Sequence, residues 1–404
     1  MDSGLAISSP KPYSVITTGS YASKASQHTK KTQIKYNLKR VQQLSLGHRY
    51  KCIEGGFAYQ ECNRKYVVQA VPESSFDSEP HTSNPQIILH SVKDFLATLC
   101  TLSYPYAMIG LALCALSSSL LAVEKLSDIS LSFFVGVLQA AVPQLFFAIY
   151  SNALNQVSDL EIDKINKPHL PLASGQLSLK TVVIIAASFL TLSFWLSWIV
   201  GSWPLIWNLV LITSIWTAYS VNVPFLRWKK NPILAAMCMV SSWAFVLPIT
   251  FFLHMQTFVL KRPIVFPRSL ILAIVIMNFF FVGMALAKDI PDVEGDKIYG
   301  IDTFAIRIGQ KQVFWICIFL FEMAFGVSLV AGATSSSLLV KIITGVGNAV
   351  LASVLWFQAN SIDLSSKTSG GSFYMLIWKL MYASYFLVAL IRGLYMAGPR
   401  TEIN

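Results

Sequence analysis

From about residue 100 to the C-terminus the chain alternates long apolar runs with short polar connections. Each run has the roughly 20 residues that a helix needs to cross a bilayer core of about 30 Å. Nine such segments can be drawn, at 100–122, 130–153, 178–200, 203–221, 232–253, 269–287, 312–332, 337–357 and 374–396. Between the third and fourth the only interruption is GSWP, Gly201 to Pro204, and Gly and Pro there predict a tight turn between antiparallel helices. The pattern predicts an all-α polytopic membrane protein with nine transmembrane helices. It divides the chain into residues 1–53, an irregular polar stretch at 54–86, and a membrane domain at 87–404.

Composition agrees with that class. Of the 404 residues 54% are hydrophobic and 13% charged, where soluble domains carry about a quarter charged residues. The net charge of +11 invites a nucleic-acid reading, but its distribution argues against one. Residues 1–53 hold nine Lys and Arg against Asp2 alone, a balance of +8, together with twelve Ser and Thr. A basic, Ser-rich and acid-poor leader without a compact apolar run predicts an organellar transit peptide, with an anionic-lipid-binding tail as the alternative. Composition does not choose between mitochondrion and plastid. The six cysteines contain no C-x-x-C pair, so neither a disulfide framework nor a zinc site is readable.

Two acidic stretches interrupt this apolar chain, NQVSDLEID at Asn155–Asp163 and KDIPDVEGDK at Lys288–Lys297. Asn155, Asp159 and Asp163 stand at i, i+4 and i+8, which on a helix makes one slowly drifting stripe, with Glu161 pointing elsewhere. Asp292 and Asp296 repeat the i, i+4 spacing and Asp289 precedes them. Pro291 and Gly295 predict a kinked or unwound helix end there. One motif ends the second segment and the other ends the sixth, so both face the same side of the membrane. Lys164, Lys167, Lys180, Arg227, Lys229, Lys230, Lys297, Arg307, Lys311 and Lys367 fall in loops on that side. The positive-inside rule makes it the cytosol-like face.

Carboxylates so close to a bilayer are costly and repel one another. A hard divalent cation relieves both problems. Carboxylate, amide and water oxygens suit magnesium, which binds few carboxylates and completes its shell with substrate phosphates. The predicted metal ligands are Asn155, Asp159, Asp163, Asp289, Asp292 and Asp296. The missing ligand is then a diphosphate, with Lys164, Lys167, Lys297 and Arg307 able to neutralise its outer oxygens. A solvated acidic interface explains one such cluster readily and two matched clusters poorly.

These residues resemble the UbiA superfamily of intramembrane aromatic prenyltransferases. NQVSDLEID matches the family pattern N-Q-x-x-D-x-x-x-D, and KDIPDVEGD matches its plant form K-D-x-x-D-x-E-G-D. The likeness extends through DKINKPHLPLASG and GDKIYGIDTFAIRIGQ to the plastid homogentisate branch. IEGGFAYQECNRKYVV and VLPITFFLHMQTFV are similar to legume flavonoid and isoflavonoid dimethylallyltransferases. The resemblance implies a nine-helix bundle around a central cavity in a chloroplast membrane, with the acidic motifs facing the stroma. It implies magnesium held by Asn155, Asp159, Asp163, Asp292 and Asp296, with Asp289 added from the plant motif, and Asp159, Asp163, Asp292 and Asp296 as the catalytic set. The expected reaction is transfer of a dimethylallyl group from dimethylallyl diphosphate to a carbon of a flavonoid or isoflavonoid phenol. Homogentisate with a phytyl or geranylgeranyl donor is the alternative acceptor reading. The proton acceptor is either a motif Asp or a phenol already ionised. A divalent-cation transporter is the competing class, and acids confined to span ends on one side, beside basic residues, count against it.

Overall fold

The computed structural model describes residues 85–335, 337–364 and 366–390, all but a few of them in helices or short turns. In chain order the helices are α1 Pro85–Ser103, α2 Pro105–Leu120, α3 Leu131–Asn166, α4 Leu179–Val200, α5 Trp203–Ser220 and α6 Pro232–Val259. They continue as α7 Arg268–Ala287, α8 Val293–Ile298, α9 Phe304–Arg307, α10 Gln310–Ala333, α11 Leu338–Ser361 and α12 Lys367–Leu390. The expected leader at 1–53 and nearly all of the polar stretch at 54–86 lie outside the described residues; Pro85 and Gln86 already belong to α1.

The all-α membrane architecture holds, while length and apolarity alone do not reproduce the count of nine. Among the described residues seven helices are long and apolar enough to cross a membrane, or eight when α1 and α2 count as one span bent by 65°. The expected fourth segment does form a helix, α5, but it is only 18 residues long. It carries Asn208, buried and donating to Gln144 Oε1 of α3 at 2.7 Å. A polar pair between helices does work there that apolarity does elsewhere, so hydropathy alone undercounts the segment.

Each element follows from its sequence. Ser178 caps α4 by accepting from Thr181 N, and Asn231 caps α6 by accepting from Ile233 and Leu234 N, leaving fewer orphan amides at those ends. Gly201 closes α4 at φ 71°, the left-handed conformation that glycine adopts without cost, so the GSWP turn is as predicted. Within α6 two turns widen to π geometry, Ser241–Val246 and His254–Val259. The second carries fully buried His254, whose Nε2 donates to the Gly136 carbonyl of α3 at 3.1 Å and whose Nδ1 meets Ser202 Oγ at 2.8 Å. That one ring ties three elements together.

The core is phenylalanine-rich: Phe251, Phe252, Phe280, Phe281, Phe314 and Phe321 are buried. α3 packs along α4, α7 against α10, and α12 against α2. Apolar side chains also dominate the outside, as lipid requires; Phe357 and Trp356 of α11 are exposed. Trp195, Trp198, Trp203 and Trp207 form an exposed group around the α4–α5 turn, consistent with an aromatic belt.

Candidate active site

α3 runs for 36 residues, so at 1.5 Å per residue Asp159 stands about 42 Å from its first residue, beyond a core of about 30 Å. The helix carries its acids past the hydrocarbon. Asp159 and Asp163 are buried in the protein, and Asn155 lies on the same stripe, its Oδ1 buried without a hydrogen-bond partner. Asp163 Oδ2 is likewise buried and unpartnered. Glu161 is exposed and pairs with Lys164 at 2.7 Å, off the stripe as the periodicity predicts.

The second motif begins where α7 stops. Residues 288–292 form turns and α8 starts at Val293, the unwinding expected of Pro291. Asp289 and Asp296 are buried and Asp292 is half-buried. Lys288 Nζ donates to Asp289 Oδ1 at 2.5 Å.

Asn166 and Lys167, at the end of α3, join the two motifs. Asn166 Oδ1 accepts the Gly295 N–H at 3.0 Å, while its Nδ2 donates to the Asp292 carbonyl at 3.1 Å and to Asp296 Oδ1 at 3.3 Å. Lys167 pairs with Asp292. A third stretch completes the cluster: Lys229 pairs with Asp159, and Arg227 Nη2 reaches Asp159 Oδ1 at 3.4 Å. Asp302 N also donates to the Lys230 carbonyl at 3.3 Å. Carboxylates from two distant stretches thus meet at one end of the bundle, interleaved with lysine and arginine.

The charges respond to burial and to each other. Burial, then Asp292 and Asp289, push the Asp296 carboxyl up to about 7. Asp289 is raised by burial despite Lys288 beside it. Burial pulls the Lys167 ammonium down, but Asp292 and its neighbours hold it above the ordinary lysine range. Lys229 goes the other way: burial outweighs Asp159 and lowers it.

Three of the four predicted diphosphate-binding cations stand elsewhere. Lys164 is occupied by Glu161, and Arg307 by Asp302 at 2.5 Å, both at exposed positions. Lys297 is exposed as well. Lys167 is the one at the cluster, and Arg227 and Lys229 take the place expected of the others. The loop RWKK reads equally well as a positive-inside anchor; the available signal was its position directly after a segment ending on the motif side.

The six predicted metal ligands divide in the same way. Asp159, Asp289 and Asp292 already have cationic partners and Asp296 accepts from Asn166, whereas Asn155 and Asp163 each present a buried oxygen with no hydrogen-bond partner. Among the described residues no three His, Cys, Asp or Glu side chains converge to cage a metal by themselves. Hard, partly orphaned oxygens fit magnesium that draws the rest of its shell from phosphate and water.

Beside the ionic cluster the bundle interior is aromatic. Tyr106 meets Trp378 at 5.2 Å, and Trp378 meets Trp243 at 5.7 Å, with Trp243 stacked on Phe281 at 5.2 Å. Tyr374 packs against Tyr106 and Trp378. A separate cleft of about 400 Å³ opens between Phe194, Val210 and Leu226, with no carboxylate in its walls.

Known proteins resemble this chain in sequence, and others resemble it in fold. Over 97% of this chain and the whole of the relative, the sequence is 63% identical to glycinol 4-dimethylallyltransferase of Glycine max. It is 52% identical to the chloroplastic homogentisate phytyltransferase 1 of Arabidopsis thaliana, over 75% of this chain and 77% of that one. A UbiA homolog from Archaeoglobus fulgidus, solved bound to GPP and Mg2+, superposes with a TM-score of 0.50 at 15% identity, covering 72% of this chain and 99% of that chain. At that identity the likeness is one of fold. Residues 105–380 match the UbiA prenyltransferase family, and with its two acidic motifs joined at one end of a helical membrane bundle, the chain belongs to that family.

Proposed function

We propose that this protein catalyses magnesium-dependent transfer of a dimethylallyl group from dimethylallyl diphosphate to an aromatic carbon of an isoflavonoid or flavonoid phenol. It does so in a plastid membrane with the acidic motifs toward the stroma. The observation that supports the reading is the junction made by Asn166 and Lys167, which ties the end of the helix carrying Asp159 and Asp163 to Asp292 and Asp296. The dimethylallyl donor and the isoflavonoid acceptor are supported by the full-length 63% identity to a glycinol dimethylallyltransferase.

Asn155, Asp159, Asp163, Asp289, Asp292 and Asp296 are the residues that would hold magnesium. When bound, the metal neutralises the diphosphate and stabilises the charge that grows on the leaving oxygen. The chain's own groups then divide the work. Lys167, Arg227 and Lys229, now paired with carboxylates, can exchange those partners for phosphate oxygens and hold the departing group. The carbon–oxygen bond breaks and its electron pair leaves with the diphosphate. The aromatic interior around Tyr106, Trp243 and Trp378 excludes water and offers ring faces to the allylic cation. Attack by a carbon ortho to a phenol hydroxyl forms the new bond, and loss of that carbon's proton restores the ring.

Asp159→Ala and Asp292→Ala in membranes expressing the full chain should abolish magnesium-dependent transfer while insertion and folding persist; near-normal turnover in either would defeat the assignment. The 52% identity to a homogentisate phytyltransferase supports a second acceptor reading. Parallel assays with genistein, naringenin and homogentisate decide between them. Turnover of homogentisate with a phytyl donor, and none of either flavonoid, would replace the first reading with the second.

A further inference from the structure

The first membrane segment is broken at a residue poorly suited to the break. α1 and α2 meet at 65°, and between them Tyr104 adopts φ 52°, ψ 79°, a left-handed conformation that bulky residues avoid. Pro105 follows, with no N–H to continue the helix. The Ser103 carbonyl accepts a hydrogen bond from Asn152 Nδ2 at 2.8 Å. Asn152 lies on α3 one turn before Asn155, so the motif helix itself holds the break. Strain of this kind persists where the surrounding structure over-determines it, and it clusters at functional sites.

The break decides where the Tyr104 side chain goes. Its hydroxyl is within electrostatic reach of Lys167 and of Asp163, Asp292 and Asp159, acids of both motifs. Its ring meets Tyr106 edge-on at 5.7 Å, and Tyr106 leads to Trp378 and Trp243. Tyr104 is therefore a link of this aromatic chain that stands against acids of both motifs. Glycine or asparagine would take the same backbone conformation at less cost, so what the position keeps is the ring.

We infer that the Tyr104 ring is a further catalytic residue, the wall facing the allylic cation that directs it to the phenol carbon and away from water. This inference rests on the prenyl-transfer reading and deepens it. Once the carbon–oxygen pair has left with diphosphate, the cation accepts an electron pair from one of two sources. An acceptor carbon gives the C-prenylated phenol and releases its proton; water gives dimethylallyl alcohol and a proton. A desolvated ring face contributes about 30-fold in rate to cation formation, and its bulk keeps water off the reacting carbon.

The test uses full-length protein in membranes with magnesium, labelled dimethylallyl diphosphate and whichever phenol the parent prenylates, and reads the ratio of alcohol to prenylated phenol. Tyr104→Phe keeps the ring and should leave that ratio unchanged. Tyr104→Asn removes the ring while easing the backbone, so thermal stability should be retained while the ratio rises about tenfold, the equivalent of about 1.4 kcal/mol in the partitioning step, because water then reaches the cation. An unchanged ratio in Tyr104→Asn, an equal rise in Tyr104→Phe, or complete loss of diphosphate consumption in Tyr104→Asn would each overturn the inference. A parent that transfers no prenyl group to any phenol overturns instead the reading on which it rests.

Discussion

The contact between Gly295 and Asn166 offers the sharpest test of how the two motifs are joined. A Cβ at position 295 would lie 2.7 Å from both Cγ and Nδ2 of Asn166, far inside ordinary contact. Asn166 is not free to swing aside, because its amide bonds the Gly295 N–H, the Asp292 carbonyl and Asp296 Oδ1. Overpacking of this kind costs about 1–3 kcal/mol, and each hydrogen bond broken in making room costs about 1 kcal/mol more. A total of about 2–4 kcal/mol, borne by the catalytic constellation, lowers kcat/KM at least about 30-fold. The assay is the initial rate of prenyl transfer over a magnesium series, with thermal unfolding alongside. Asn166→Ala alone should also be impaired. Since the clash then has no partner, adding Gly295→Ala to it should cost less than about 0.5 kcal/mol more. If Gly295→Ala is as damaging in the Asn166→Ala background as in the parent, the junction is not what makes glycine necessary.

Other consequences follow from the same cluster. In metal-free protein Asp296, raised to about 7, keeps a proton that an unfolded chain releases near 3.8; stability contributed by this group is therefore lost as pH rises from 3.8 through 7. In chelator at about pH 8, Asp296→Asn should melt above the parent, yet gain less from added magnesium; an equal magnesium gain would remove Asp296 from the ligand set. Lys229→Ala leaves Asp159 with Arg227 alone and should destabilise by about 3–5 kcal/mol, read by thermal unfolding in detergent. Lys164→Ala, which breaks an exposed i,i+3 pair, should change stability by less than about 1 kcal/mol and leave turnover intact. Equal effects of the two lysine substitutions would contradict the placement of RWKK at the site.

Much of this molecule is determined by short-range pattern. Apolar runs of span length, the cap residues Ser178 and Asn231, the glycine turn at Gly201 and the stripe Asn155–Asp159–Asp163 all depend on neighbours within a few positions, so they are legible in the linear chain. So is the unwinding at Pro291, because a missing N–H acts locally. The count of spans is less so: α5 is held partly by Asn208 reaching Gln144, a pair that hydropathy scores as a defect. What tertiary structure alone decided is which cation serves which acid. Lys164 and Arg307 lie close in sequence to the motifs, yet nearby acids at positions 161 and 302 claim them. Lys229 reaches Asp159, and Asn166 reaches the backbone and side chains of the second motif, across separations of 70 and of about 130 residues. Side-chain electrostatics acts through space within a few ångströms, so proximity along the chain ranks such partners poorly until the helices are packed.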